Sequence, residues 1–277
     1  MAMGKLQGKV ALVSGSGRGI GAAIATKLAA EGARVVVNDV EAGPADETVR
    51  SIAAAGGDAI ACVGDVTAGD FAARFVGAAI DRFGGLDIIV NNAGYAWDAV
   101  VQKMTDEQWY AMLDVHATAP FRILRAAAEP LRQYAKREKD EGRSVMRKVV
   151  NVTSIAGLYG NAGQVAYAAG KAAVIGLTRT LAKEWGRYNV NVNAVAFGYI
   201  RTRMTAPIGA EAAVARVGER EIRMGVQPEM LAFMEKMIPL GRGGTPEEAA
   251  GAVYLFCIPE SDYVSGQVVL ASGGFVM

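Results

Sequence analysis

At 277 residues the chain is long enough for one large α/β domain or two small ones. A net charge of +1 with 52% hydrophobic residues gives no electrostatic reason to expect nucleic acid or a membrane surface as a partner. No apolar run reaches membrane-spanning length, and the N-terminal MAMGKLQGK has no apolar signal core. Cys62 and Cys257 both sit in apolar segments, as free buried thiols do, so a cytoplasmic protein is expected.

The first predicted element is an apolar strand, Val10-Ala11-Leu12-Val13. A glycine-rich turn follows, Ser14-Gly15-Ser16-Gly17-Arg18-Gly19-Ile20-Gly21, and then an alanine-rich helix that stops at Gly32. Strand, glycine turn and helix N-terminus are what a diphosphate site needs, because missing β-carbons admit the phosphates and the helix end offers free N–H groups. Gly15 and Gly19 would make the close approach, and Gly21 would let the helix lie tightly on the sheet. A glycine-rich loop with no ligand has the same local pattern.

Alternation then continues. Arg34–Asn38 is a second strand ending in Asp39, Ala45–Ala55 a helix, and Ala59–Val63 a third strand running into Asp65-Val66-Thr67. Phe71–Phe83 has helical spacing, and Leu86–Val90 is a fourth strand leading into Asn91-Asn92-Ala93-Gly94. Thr105 with Gln108 predicts a capping box for a long helix. Pro120 interrupts that helix and Pro130 is expected near its end, so a break is expected near the middle. The charged stretch Lys136–Lys148 reads as a solvated helix end plus loop, or as a docking surface. Lys148–Val152, Val190–Ala196 and Gln267–Leu270 are further strands, Tyr167–Trp185 is a helix, and Thr245-Pro246-Glu247-Glu248 is a second capping box. Thr205–Ile238 is long and methionine-rich, with helical pieces expected around Ala210–Arg220 and Pro228–Met237. It reads as a substrate lid or as filler of an irregular apolar gap.

Apolar strands alternating with helices predict a doubly wound parallel sheet covered on both faces. Ligands in that fold bind at the carboxyl ends of the strands. Those ends carry Ser14–Gly19, Asp39, Asp65, Asn91–Gly94, Ser154 and Phe197–Thr202, all on one edge. Tyr167 and Lys171 stand four apart, on one face of their helix. An ammonium near a phenol lowers its pKa, so the pair suits proton exchange, and Ser154 could hydrogen-bond a substrate oxygen. An ordinary helix pair and a turn serine are the plain alternative; the shared sheet edge argues against it.

With these motifs together, the sequence resembles the short-chain dehydrogenase/reductases over nearly its whole length. Ser14–Gly21 is similar to the family's Thr-Gly-x-x-x-Gly-x-Gly turn, Asn91–Gly94 to its Asn-Asn-Ala-Gly, and Ser154 with Tyr167 and Lys171 to its catalytic serine and Tyr-x-x-x-Lys. The resemblance implies a single Rossmann domain over 1–277 with about seven strands and helices on both faces, and a lid at 205–238. It implies cofactor contacts from Gly15, Arg18, Gly19, Ile20, Asp39, Asp65, Val66, Asn92, Ala93, Gly94, Tyr167, Lys171, Ile200 and Thr202. Tyr167 is then the general acid or base, Ser154 the group that polarises the substrate oxygen, and Lys171 the ribose ligand. At the position of the family's fourth catalytic residue, an asparagine whose main-chain carbonyl holds a relay water, this chain has His116. The carbonyl is expected to keep that role; the imidazole either joins the relay or is structural. Phe197 also departs from the family's usual proline, which touches loop shape and not chemistry.

Hydride transfer between a nicotinamide and a secondary alcohol or ketone follows from the resemblance. The C-terminal Val264–Gly274 is most like that of 3-oxoacyl-thioester reductases, so an acyl thioester is the first substrate expected, before steroid, sugar or xenobiotic alcohols. A non-catalytic nicotinamide-binding sensor is the alternative from another class. Asp39 would accept bonds from ribose hydroxyls and repel a 2′-phosphate, which favours NAD; Arg18 in the turn points to NADP. No metal, nucleic acid or membrane partner is expected, and the family's habit implies a homotetramer.

Overall fold

A computed structural model of the chain describes residues 4–208, 214–217, 220–223 and 225–276. Seven strands build the main sheet: β1 (Val10–Val13), β2 (Arg34–Val37), β3 (Asp58–Ala61), β4 (Ile88–Asn91), β5 (Arg147–Ser154), β6 (Val190–Phe197) and β9 (Val268–Ala271). All are parallel, in the order β3-β2-β1-β4-β5-β6-β9. The order reverses at β1, and the crevice beyond β1 and β4 is the switch point where this topology binds ligands.

The apolar runs are continuous because both faces are covered. Ala11 and Val13 of β1 face one core with Val35 and Val37, packed on α1 (Gly19–Ala30), α2 (Ala42–Ala54) and α9 (Pro246–Tyr254). Val10 and Leu12 face the other with Val36, packed on α3 (Phe71–Phe83), α4 (Asp106–Leu113), α5 (Ala119–Asp140) and α7 (Val165–Trp185). Each fully buried Val, Leu, Ile or Phe contributes about 1.5–3 kcal/mol. Both cysteines are buried and unpaired. Among the described residues no helix is long and apolar enough to cross a membrane.

Both predicted capping boxes form, Thr105 with Gln108 on α4 and Thr245 with Glu248 on α9. The expected break in the long helix is a π-helical turn, Asp114–Thr118, in which Ala119 N–H reaches back five residues to the Asp114 carbonyl. Pro120 has no N–H to give the His116 carbonyl four residues before it, so the α-helical ladder is cut there. Pro130 lies inside α5, not near its end.

Two sequence expectations are corrected. Where a helical piece was expected around Ala210–Arg220, β7 (Val214–Val217) and β8 (Arg220–Arg223) pair antiparallel; residues 210–213, 218 and 219 lie outside the described residues. The β-branched Val214, Val217 and Ile222 around Gly218 are a hairpin signal that outweighs the helical spacing. α8 (Pro228–Met237) forms as expected. The second correction is the charged stretch 136–148. It holds the end of α5 and a loop, but Glu138, Arg147 and Lys148 are buried. Arg147 pairs with Glu138 at 2.6 and 2.8 Å and donates to the Leu86 carbonyl, while Lys148 reaches Asn191, Ser261 and Asp262. Ion pairing replaces solvation for these three residues, while most of the rest of the stretch is exposed, as a solvated helix end and loop should be.

Candidate active site

β1 ends in a turn held from three sides. Ser14 Oγ accepts from the N–H groups of Asn92 and Ala93 at 3.0 and 3.1 Å. Asn92 Nδ2 donates to the carbonyls of Ser14 and Gly15, and Asn38 Oδ1 accepts from Gly15 N–H. Gly15 takes φ of +62°, a conformation that costs other residues strain. A β-carbon on Gly21 would lie 2.0 Å from the Gly15 carbonyl oxygen, so α1 packs directly onto the turn. Arg18 is the N-cap of α1 without a side-chain cap bond, and no acid stands in the first turn. The helix thus presents uncapped N–H groups and its positive end beside a bare backbone cradle, which suits a diphosphate.

At the neighbouring strand ends, Asp39 lies against Gly17, and its Oδ1 accepts from Glu41 N–H at 3.0 Å. Asp65 Oδ1 accepts from Thr67 N–H and Oγ1, both at 2.8 Å. Phe197 is the strand partner of Ser154 and turns its ring into the core.

Ser154 closes β5 and caps α6 (Ile155–Tyr159), accepting from Ala156 N–H at 3.2 Å. Its hydroxyl also stands close enough to the Tyr167 phenol to act on its pKa. Lys171 is buried one helical turn on, with Nζ 5.8 Å from the Tyr167 ring centroid and donating to the Val152 carbonyl at 2.9 Å. Thr153 Oγ1 donates to the Lys171 carbonyl, and a buried ladder runs Asn91–Asn151–Thr178 across β4, β5 and α7. These amides and hydroxyls fix the helix against the strand that ends in Ser154.

The electrostatics depart from the expected lowering of the tyrosine pKa by lysine. Enclosure raises the Tyr167 phenol to about 12; the Ser154 hydroxyl offsets part of this, and the Asp98 charge adds to it. Enclosure also lowers the Lys171 ammonium to about 8, so its charge is itself weakened.

His116 sits in the π-helical turn, buried, with Nε2 2.8 Å from the Tyr95 carbonyl. A carbonyl only accepts, so Nε2 carries the proton and Nδ1 is a bare acceptor, buried without a hydrogen-bond partner among the described residues. Burial, with the Lys171 charge in the same direction, holds the imidazole well below its usual range; the Tyr95 carbonyl opposes this.

One cavity of about 830 Å³ unites the catalytic and cofactor-contact residues singled out in the sequence. Its wall includes Gly15, Arg18, Gly19, Ile20, Asp39, Asp65, Val66, Asn92, Ala93, Gly94, Ile200 and Thr202, and also His116, Ser154, Tyr167 and Lys171. Sequence reasoning passed over Asn38, Asn151 and Thr178. The available signal was a polar residue inside or just after an apolar strand, as in Val149-Val150-Asn151-Val152. It also passed over Glu41, which follows the Asp39 strand end and chelates Arg18.

A doubly wound sheet, an uncapped glycine cradle at its switch point and a serine–tyrosine–lysine cluster on the same edge define a nicotinamide-dependent oxidoreductase. The family model for the short chain dehydrogenases matches residues 9–213, and the chain belongs to that family. It is 39% identical to a 3-oxoacyl-(acyl-carrier-protein) reductase of Synechocystis sp., covering 99% of this chain and 100% of that one. It is 36% identical to the 3-oxoacyl-(acyl-carrier-protein) reductase FabG of Thermotoga maritima, again over 99% and 100%. Among solved structures it resembles a 7α-hydroxysteroid dehydrogenase complexed with NADH and 7-oxo glycochenodeoxycholic acid, with a TM-score of 0.84 at 29% identity, covering 98% of this chain and 96% of that one. The protein is an NAD(P)-dependent oxidoreductase acting between alcohol and ketone.

Proposed function

We propose that the protein interconverts a 3-oxoacyl and a 3-hydroxyacyl thioester with NAD(H) as the preferred nucleotide, in the cytoplasm. The observation that carries the reading is the meeting of Ser154, Tyr167 and Lys171 beside the glycine cradle, in a chain alike end to end to two 3-oxoacyl reductases. The bound nicotinamide supplies or takes the hydride. Tyr167, protonated at neutral pH, gives its proton to the substrate oxygen in reduction and takes it back in oxidation. Ser154 donates a hydrogen bond to the same oxygen and so keeps it within reach of the phenol. Lys171 leaves the Val152 carbonyl to hold the ribose hydroxyls, and its charge then favours the phenolate.

The cradle residues Gly15, Gly19 and Ile20 hold the diphosphate, Asp65 and Val66 flank the adenine, Asn92, Ala93 and Gly94 line the cleft, and Ile200 and Thr202 hold the nicotinamide amide. His116 acts as a neutral positioning residue for Tyr167, and its main-chain carbonyl holds a water in the proton path. Asp39 accepts from the adenosine ribose, which supports NAD over NADP. The described parts of 205–238, α8 among them, cover the substrate as a lid of the single domain; 209–213, 218, 219 and 224 lie outside the described residues. The groove between α5 and α7, with Phe121 exposed, supports a homotetramer packed through these helices.

The test is turnover of 3-oxoacyl thioesters, free ketones and 7-oxo steroids with NADH and NADPH, read at the reduced-nicotinamide absorbance. Fastest oxidation of NADH by the thioester supports the reading. A steroid preference would support a hydroxysteroid dehydrogenase, in line with one of the structural likenesses. Binding without turnover across the panel would identify a sensor. A monomer mass in light scattering would contradict the tetramer.

A further inference from the structure

We propose that Glu41 sets nucleotide preference by withholding Arg18 from a 2′-phosphate, an inference that rests on the NAD reading above. Arg18 is the one cation of the glycine turn and the natural anchor for a phosphate on the adenosine ribose. It is already engaged. Nη1 and Nη2 donate to Glu41 Oε1 and Oε2 at 3.1 and 2.7 Å, a bidentate fork, and Nη1 stands 4.0 Å from Asp39 Oδ1. Two carboxylates, Glu41 and Asp39, thus face one guanidinium, and the Glu47 charge acts on it as well.

Backbone geometry fixes this cluster. Glu41 N–H is bonded to Asp39 Oδ1, which places the Glu41 side chain two residues beyond Asp39 and opposite Arg18. Gly17, the residue before Arg18, leaves the space that Asp39 fills, since a β-carbon there would lie 2.5 Å from Oδ2. Turn and strand end therefore present their charges to each other. A 2′-phosphate beside Asp39 must break the fork and then share Arg18 with two carboxylates. A plain ribose meets no such competition.

The pair is partly exposed, with side-chain accessibilities of 33% and 49%, so its effect is a bias and not a block. Removing one carboxylate and freeing the guanidinium should change the preference about tenfold, the scale of one partly screened charge contact. Glu41 is the N-cap of α2 but makes no side-chain cap bond, so Glu41→Gln removes no cap bond from that helix end.

Calorimetric titration with ADP and with 2′,5′-ADP gives the affinity ratio without turnover, and ADP cancels any contact of Arg18 with the diphosphate. The wild type should favour ADP. Glu41→Gln should shift the ratio about tenfold toward 2′,5′-ADP, and Glu41→Gln combined with Arg18→Met should lose that shift. An unchanged ratio in Glu41→Gln overturns the proposal, as does a shift that persists without Arg18. A wild type that favours 2′,5′-ADP contradicts the NAD reading itself, a separate result. Unchanged thermal melting of both variants confirms that the fold is intact.

Discussion

The ring of His116 stands edge-on to the ring of Tyr167, with centroids 4.9 Å apart and planes at 84°. One ring nitrogen is tied to the Tyr95 carbonyl, so the imidazole bridges the loop after β4 and the first turn of α7. An edge-to-face contact of this kind is worth about 0.5–1.5 kcal/mol, enough to bias how the phenol lies.

This relation separates a proton-carrying from a positioning histidine. Burial keeps the imidazole neutral through neutrality, so His116→Asn should lower kcat by about tenfold or less, with the pH profile unchanged. His116→Ala, which loses both contacts, should cost more. A pH profile that changes shape in His116→Asn would place the imidazole in the proton path. It is the only histidine, so its NMR titration can be followed without overlap.

The pH dependence of reduction follows from the two shifted groups. Tyr167 is raised to about 12 and stays protonated, ready as an acid, across the working range. Lys171 is lowered to about 8 and loses its charge above that pH. Reduction kcat/KM for the nucleotide, which reports the free enzyme, should therefore be level through neutrality and fall above about pH 8. A plateau extending to pH 10 would show that Lys171 keeps its proton in the cleft.

The buried pair Glu138–Arg147 makes a prediction about stability and not activity. Glu138→Gln leaves the Arg147 charge buried with the Leu86 carbonyl and the face of Tyr134 for company. Removing one partner of such a pair costs about 3–5 kcal/mol, measurable by urea unfolding. Arg147 holds Glu138 below the usual carboxylate range, so the wild-type contribution is complete above the ordinary glutamate pKa and is lost as pH falls through the lowered one. Arg147 begins β5 and Ser154 ends it, about 23 Å away at the usual rise, so folded variant should turn over normally. A loss of under about 1 kcal/mol would mean that water reaches the pair.

Much of this was legible in the sequence because the cues were local. Apolar four-residue runs gave the strands, Thr105 and Thr245 gave the helix starts, and Pro120 gave the π-helical break. The gathering of Ser14–Gly19, Asp39, Asn92 and Ser154 followed from one topological rule about strand ends. What stayed hidden depends on contacts between distant parts of the chain. Glu138, Arg147 and Lys148 look solvated until their partners are known. Val214–Arg223 carried both helical and hairpin signals, and pairing decided between them. The sign of the Tyr167 shift needed enclosure, which residue spacing does not report. The Arg18–Glu41 fork needed the turn and the end of β2 side by side.

The central claim is that the Tyr167 phenol moves the proton. Tyr167→Phe keeps the ring, its packing on His116 and the shape of the cleft, and removes only the hydroxyl. Its kcat should fall by about 10²–10⁴-fold with ADP affinity unchanged. Near-full turnover by Tyr167→Phe on any accepted substrate would contradict it.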